Sequence, residues 1–230
     1  MAADKGYSIA MNCYAFMVDE GDGVPVNKEE AIKYYKMAIE KGNASAMSNY
    51  AYMLAHGDSV PVDKEEAAKL YKMSADNGNV SSMNTYALMV SEGDGIPSNK
   101  EEAVKYFKMA ADKGNVDSMS NYAYFAENGI GMNASKRMAT KYYKMAADKG
   151  DSNSMYDYAR MLENSEICLF KENIPKYYKM AADNDNEEAI YKYATMLDKG
   201  INVPENKEES IKYYKISADK GNEDAILRLA

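Results

Sequence analysis

One ten-residue string returns through this chain, first as Tyr34 to Asn43 and then in versions opening at Leu70, Tyr106, Tyr142, Tyr177 and Tyr213, at intervals of 36, 36, 36, 35 and 36 residues. Such a period constrains the fold more than any single motif does. Each unit is one supersecondary element that cannot bury its own apolar face, so neighbours must stack and share a core. With the glycine near the end of the string as the mark, the frame runs through Gly6, Gly42, Gly78, Gly114 and Gly150, then Asp185 and Gly221. The full repeats are then 6–41, 42–77, 78–113, 114–149, 150–184 and 185–220, with partial repeats at both ends, and residues 1–230 are expected to form one continuous array.

Apolar residues follow helical spacing twice in each unit. In the second repeat Met47, Tyr50, Ala51 and Leu54 share one face of a first helix, and Ala67, Leu70, Tyr71, Ser74 and Ala75 share one face of a second. Asn27, Asp63, Asn99 and Asn206 each stand three residues before a glutamate, the capping-box spacing that starts a helix. Gly21, Gly57, Gly93 and Gly129 fall where a left-handed cap ends the first helix, and Pro25, Pro61 and Pro97 stop its continuation. The expected unit is a helical hairpin. Ala15, Ala51, Ala87, Ala123, Ala159 and Ala194 would let helices approach closely, and the Tyr-Tyr pairs would fill the space between hairpins. Glu29 with Lys33, Glu65 with Lys69 and Glu101 with Lys105 read as ion pairs on a solvated face.

A formal charge of −8 disfavours nucleic acid and anionic membrane surfaces, which demand dense cationic patches. No apolar run comes near the roughly 20 residues that span a bilayer. Cys13 and Cys168 lie in different repeats, too far apart along a stacked array to pair. His56 is the one histidine, and no His, Cys and carboxylate cluster has metal-ligand spacing, so no cofactor is expected. The run Asp183, Asp185, Glu187 and Glu188 lacks the central glycine and spaced terminal glutamate of a calcium loop and reads as an interhelical turn. Asn43, Asn79 and Asn133 lie in Asn-x-Ser sequons, which matter only in the secretory pathway.

The units resemble Sel1-like repeats, relatives of the tetratricopeptide repeats. The resemblance is carried by Tyr50-Ala51 through Leu54, by Gly21-Asp22-Gly23-Val24 and by Tyr34-Tyr35-Lys36-Met37-Ala38, with alanine in place of the family glycine and tyrosine in place of its tryptophan. It implies an all-α solenoid, a right-handed α/α superhelix whose first helices line a concave surface, and a role as adaptor or scaffold for other proteins. Because some bacterial proteins with similar repeats are linked to β-lactam binding or hydrolysis, Ser217-Ala218-Asp219-Lys220 is notable as the sole Ser-x-x-Lys match. Its repeat position is held elsewhere by Ala110-Ala111-Asp112-Lys113, and the Ser-Asp-Asn and Lys-Thr-Gly companions are missing, so the chain is expected not to be an enzyme.

Positions that should line the concave surface vary while the core repeats. One level holds Asn12, Ser48, Asn84, Ser120, Tyr156 and Tyr191, and the next holds Phe16, Tyr52, Leu88, Tyr124, Arg160 and Thr195. Asp19, Glu20, Glu92, Glu127, Glu163 and Asp198 follow in the last turn as an acidic rim relieved only by Lys199 and nearby Arg160, and His56 joins the groove positions at the level of Glu20 and Glu92. Variation over a constant scaffold marks these as the candidate protein-binding residues, with a protein or peptide, basic in character, as the expected partner. The fifth repeat departs most: it is one residue short, Ser165 replaces the turn glycine, Ile167, Cys168, Leu169 and Phe170 occupy the usual polar loop, and Pro175 falls where a helix should be under way. That proline fits if the helix starts late and takes it into the first turn. The rival reading is a structural component held by lateral contacts in a larger complex, with Ile167, Leu169 and Phe170 as a docking patch. Met1 to Gly6 repeats Met109 to Gly114, and Ala225, Ile226, Leu229 and Ala230 open a further first helix, so the chain reads as an excerpt from a longer array.

Overall fold

The computed structural model describes residues 2–165 and 171–230. Among the described residues there are thirteen α-helices and no strand. They are α1 (Ala2–Glu20), α2 (Lys28–Glu40), α3 (Ala44–His56), α4 (Lys64–Asp76), α5 (Val80–Glu92), α6 (Lys100–Asp112), α7 (Val116–Asn128), α8 (Lys136–Ala147), α9 (Ser152–Glu163), α10 (Asn173–Asp183), α11 (Glu187–Lys199), α12 (Lys207–Asp219) and α13 (Glu223–Leu229). Ile167, Cys168, Leu169 and Phe170 lie outside the described residues, as does Met1. The chain forms two compact units, Met1–Ser118 with Ile130–Asn133, and Met119–Gly129 with Ala134–Ala230.

Capping chemistry fixes both ends of the helices as the sequence predicts. Asn27, Asp63, Asn99 and Asn206 accept from the backbone N–H three residues on at 3.1, 2.9, 3.0 and 3.1 Å, which starts α2, α4, α6 and α12 at Lys28, Lys64, Lys100 and Lys207. The first helices have caps of the same kind. Asn43, Asn79, Asn115, Asp151, Asn186 and Asn222 each accept from the third N–H on, so the sequon residues Asn43 and Asn79 are engaged in ending one turn and starting the next helix. α3, α5 and α11 end on Gly57, Gly93 and Gly200 in the left-handed conformation. Pro175 is the third residue of α10, which begins late, at Asn173. At the acidic run, Asp185 takes the positive φ that glycine supplies in other repeats.

The core is built from the residues that recur. Ala15, Ala51 and Ala87 in the first unit and Ala123, Ala159 and Ala194 in the second are fully buried. In the second helices the two aromatic positions have separate tasks. The earlier ring packs edge-on against a tyrosine of its own hairpin, as in Tyr86 with Tyr106 at 4.8 Å and Tyr158 with Tyr177 at 4.7 Å. Its hydroxyl reaches back one repeat: Tyr106 donates to Asp76 at 2.6 Å, Tyr177 to Asp148 at 2.8 Å and Tyr213 to Asp183 at 2.7 Å. Lysines tie repeats in the same way, Lys28 to Asp58 at 2.8 Å and Lys64 to Asp94 at 2.6 Å. Gly95 permits one such approach, since a Cβ there would sit 2.5 Å from the Cβ of Lys64 and 2.6 Å from its carbonyl oxygen.

Of the three expected helix ion pairs, the one that forms is Glu65 with Lys69, at 2.9 Å. Lys33 and Lys105 lie instead over the rings of Tyr34 and Tyr106, at 6.0 and 5.5 Å from their centroids. A cation over an aromatic ring gains about 0.5–1 kcal/mol at an exposed site, against about 0.2–0.5 kcal/mol for a helix ion pair, so the neighbouring tyrosine wins.

Candidate functional site

In the first unit the variable positions of α1, α3 and α5 form three rows of three. Residues four apart on a helix share a face, so Asn12, Phe16 and Glu20, then Ser48, Tyr52 and His56, then Asn84, Leu88 and Glu92 each run down one helix toward its C-terminus. The top row is tied into the stack. Asn12 accepts from Asn49 Nδ2 at 3.3 Å, and Asn84 accepts from the Ser118 hydroxyl at 2.7 Å, while Ser48 is half-buried. The middle row is open: Phe16, Tyr52 and Leu88 are 49%, 55% and 36% exposed, unusual for large apolar side chains on a helix whose other face is buried. In the last row Glu20 and Glu92 are exposed, and His56 stacks on Tyr52 at 4.0 Å while its Nδ1 donates to the Tyr52 carbonyl at 2.9 Å.

In the second unit the same positions are bound to one another. Ser120 shares a 2.8 Å hydrogen bond with Ser154 and donates to Asp151 at 3.1 Å. Tyr156 and Tyr191 are half-buried, their rings tilted against Tyr178 and Tyr214. Arg160 grips Glu127 with both terminal nitrogens at 2.8 Å and reaches Asp157 at 2.9 Å, and Tyr143 adds a 3.2 Å bond to Glu127. The Arg160 guanidinium holds the Glu127 carboxyl below the usual carboxylate range, whereas burial pushes that of Asp157 up. Glu163 accepts from the Tyr178 hydroxyl at 2.9 Å and pairs with Lys192 at 3.1 Å. Tyr124 alone of this group resembles the first unit's middle row, at 53% exposed.

The rim thus differs from a uniform acidic strip. Glu20 and Glu92 face solvent, while Glu127 and Glu163 have cationic partners within their own unit. Arg160 lies 33 residues after Glu127, one repeat less about one helical turn, so the pairing depends on the stagger between successive first helices, which spacing within one helix does not give. Sequence reasoning also passed over the opening of α8, where Lys136-Arg137-Met138 interrupts the Lys-Glu-Glu of α2, α4, α6 and α12.

Ser217, the nucleophile position of the Ser-x-x-Lys match, is 1% exposed, and Lys220 pairs with Asp185 at 3.3 Å. A hydroxyl shut away from solvent cannot meet a substrate. Among the described residues no group of three or more His, Cys, Asp or Glu is arranged to hold a metal ion, and no helix is long and apolar enough to cross a membrane.

Comparison with known proteins identifies the repeat. The Sel1 repeat family model matches residues 8–43, 44–79, 80–115, 116–151, 176–186 and 187–222, leaving residues 152–175, most of the irregular fifth repeat, unmatched. No curated protein is significantly similar in sequence. Among solved structures, the chain is similar to a protective antigen of uropathogenic Escherichia coli with an SLR fold, at 28% identity and a TM-score of 0.89 over 97% of this chain and 48% of that one. The chain therefore spans about half the length of that antigen. It is also similar to a Sel1 repeat protein from Oxalobacter formigenes, at 26% identity and a TM-score of 0.74 over 93% of this chain and 88% of that one.

Proposed function

The chain belongs to the Sel1 repeat family, whose members are generally non-catalytic protein-interaction modules, and from that premise we propose that it is a scaffold whose first unit docks a partner segment on the open face of α1, α3 and α5. The observation that carries this reading is the exposed row Phe16, Tyr52 and Leu88. Aromatic side chains provide wide contact area with few rotors to immobilise, so such a row is a natural anchor. Ser48 and the amide nitrogen of Asn84, whose oxygen accepts from Ser118, lie beside it with polar atoms for a partner backbone. Glu20 and Glu92, at the ends of the next row, select a lysine or arginine and raise its association rate more than its affinity.

The partner is thus a segment that carries apolar side chains beside a basic residue. Affinity capture with the chain, followed by identification of what is retained, supplies it. The reading is then tested by titrating that segment against the wild type, a Phe16→Ala/Tyr52→Ala double variant and a Glu20→Lys/Glu92→Lys variant at low and moderate salt. The aromatic truncations should weaken binding at both salts, and the charge reversals chiefly at low salt, where the Debye length exceeds about 10 Å. Unchanged affinity in both variants would remove the α1, α3 and α5 face as the site.

A further inference from the structure

We propose that the cleft between α8 and α9 in the second unit is a separate docking site for an acidic segment of a partner protein. The cleft has a volume of about 890 Å³. Its floor is the apolar trio Tyr158, Met161 and Leu162, and its wall is the basic side of α8, with Lys136, Arg137 and Lys141.

The charge of α8 sets it apart from its sister helices. α2, α4, α6 and α12 each carry two glutamates in the first turn, where a carboxylate is favoured by the helix dipole. α8 carries Arg137 and Met138 at those positions, and along its whole length it has four cations and no carboxylate. Arginine opposes the dipole there, so helix stability does not account for it. Nor does capping compensate, since the Ser135 hydroxyl reaches the Met138 N–H at 3.3 Å, longer than the corresponding bonds in the sister helices. Intramolecular partners do not account for it either. Lys144 is paired with Asp148 and Lys141 lies over the Tyr142 ring, but the side chains of Lys136 and Arg137 are exposed and have no hydrogen-bond or ion-pair partner among the described residues; Glu127, which also lines the cleft and feels the Lys136 charge, is already gripped by Arg160.

Unpaired cations beside an apolar floor recognise a ligand with both characters, namely carboxylates interspersed with aliphatic side chains. Nucleic acid suits the site less well, because it demands a long basic track and this chain carries a net charge of −8. The site and its ligand charge are both distinct from those of the α1, α3 and α5 face.

The test is fluorescence anisotropy with a labelled Glu-Leu-Asp-Glu-Leu-Asp peptide, its lysine counterpart and a short oligothymidylate, on the wild type and on Arg137→Glu and Lys136→Gln/Lys141→Gln. Arg137→Glu restores the sister-helix residue, so its melting temperature should equal or exceed that of the wild type while its affinity for the acidic peptide falls about tenfold at low salt. The opposite directions of the two readouts separate a binding role from a structural one. Lack of binding by the acidic peptide, unchanged affinity in both variants, or tighter binding of the oligothymidylate through the same residues would each overturn the proposal.

Discussion

The first helices of the two units start from the same repeat and arrive at surfaces of opposite character. In the first unit the variable positions end in Phe16, Tyr52, Leu88, Glu20 and Glu92, side chains left facing solvent. In the second, Arg160, Glu127, Asp157, Glu163 and Lys192 close on one another. Variation across a repeat therefore has two distinct meanings. One is a surface left open to solvent, which we propose serves a partner, and the other is a set of bridges that ties neighbouring repeats together. Only the three-dimensional arrangement separates them, because both look like departures from the consensus.

The contrast breaks most readily at Arg160. Replacing it with alanine leaves Glu127 and Asp157 half-buried without their cation, and the loss of hydrogen bonds to charged groups should cost about 1.5–3 kcal/mol in denaturant unfolding. If Arg160→Ala proves neutral, the second unit's bridges contribute nothing to stability, and the distinction between the units disappears.

Gly95→Ala in the first unit is expected to come next. Its Cβ would meet Lys64 at 2.5 Å, and its φ of +79° suits glycine. A cost of about 1–3 kcal/mol follows from overpacking and backbone strain together. Gly23→Ala is the control, with the same left-handed φ and nothing near its Cβ, so it should carry the strain alone and cost less. Equal costs would show that the tie between repeats at Gly95 adds nothing.

Much of this organisation could be read from the residues in order. The helix starts after Asn27, Asp63, Asn99 and Asn206 and the late start at Pro175 are local events, decided by caps and by proline within one turn. The candidate rows were legible as far as helical spacing reaches, which places Phe16 above Glu20 and Tyr52 above His56. What lay beyond it was the stagger between repeats. Glu127 meets Arg160 because successive first helices sit side by side with an offset of about a turn, a property of packing that no single helix encodes. The choice of Lys33 and Lys105 between a carboxylate four residues before and the tyrosine ring that follows is local, yet helical spacing alone does not decide it, because both partners are within reach.

A smaller effect sharpens the comparison through pH. Burial raises the Asp157 pKa, so the ionised group is less stable folded than unfolded. Its contribution is most favourable below the unfolded carboxylate pKa and is lost as pH rises through the folded one. Asp157→Asn should accordingly stabilise the protein slightly at neutral pH, and the gain should vanish on acidification. Glu127 has the opposite sign, since Arg160 lowers its pKa, and its contribution is present above the unfolded carboxylate pKa and lost as pH falls through the folded one. Unfolding curves for Asp157→Asn and Glu127→Gln across the acid range should therefore diverge from the wild type in opposite directions. Parallel curves would mean that the two carboxylates do not titrate as separate partners of Arg160.

The smallest expected stability change belongs to Tyr52→Ala, and its smallness is the point. More than half of the side chain is open to solvent, at 55%, and its stacking partner His56 is itself exposed, so little burial is lost. A surface truncation of this kind should move stability by no more than about 0.5 kcal/mol, well below the effect of Arg160→Ala in the same unfolding assay. If the first unit's face is kept free for a partner, the same substitution should be costly in binding, because an aromatic anchor at the centre of an interface is worth about 2 kcal/mol or more. Measuring both quantities on one variant gives a ratio that distinguishes the surfaces: large for Tyr52→Ala, small for Arg160→Ala. Should Tyr52→Ala instead unfold the protein as readily as Arg160→Ala, the exposed ring would be a structural element, and the first unit would be as internally committed as the second.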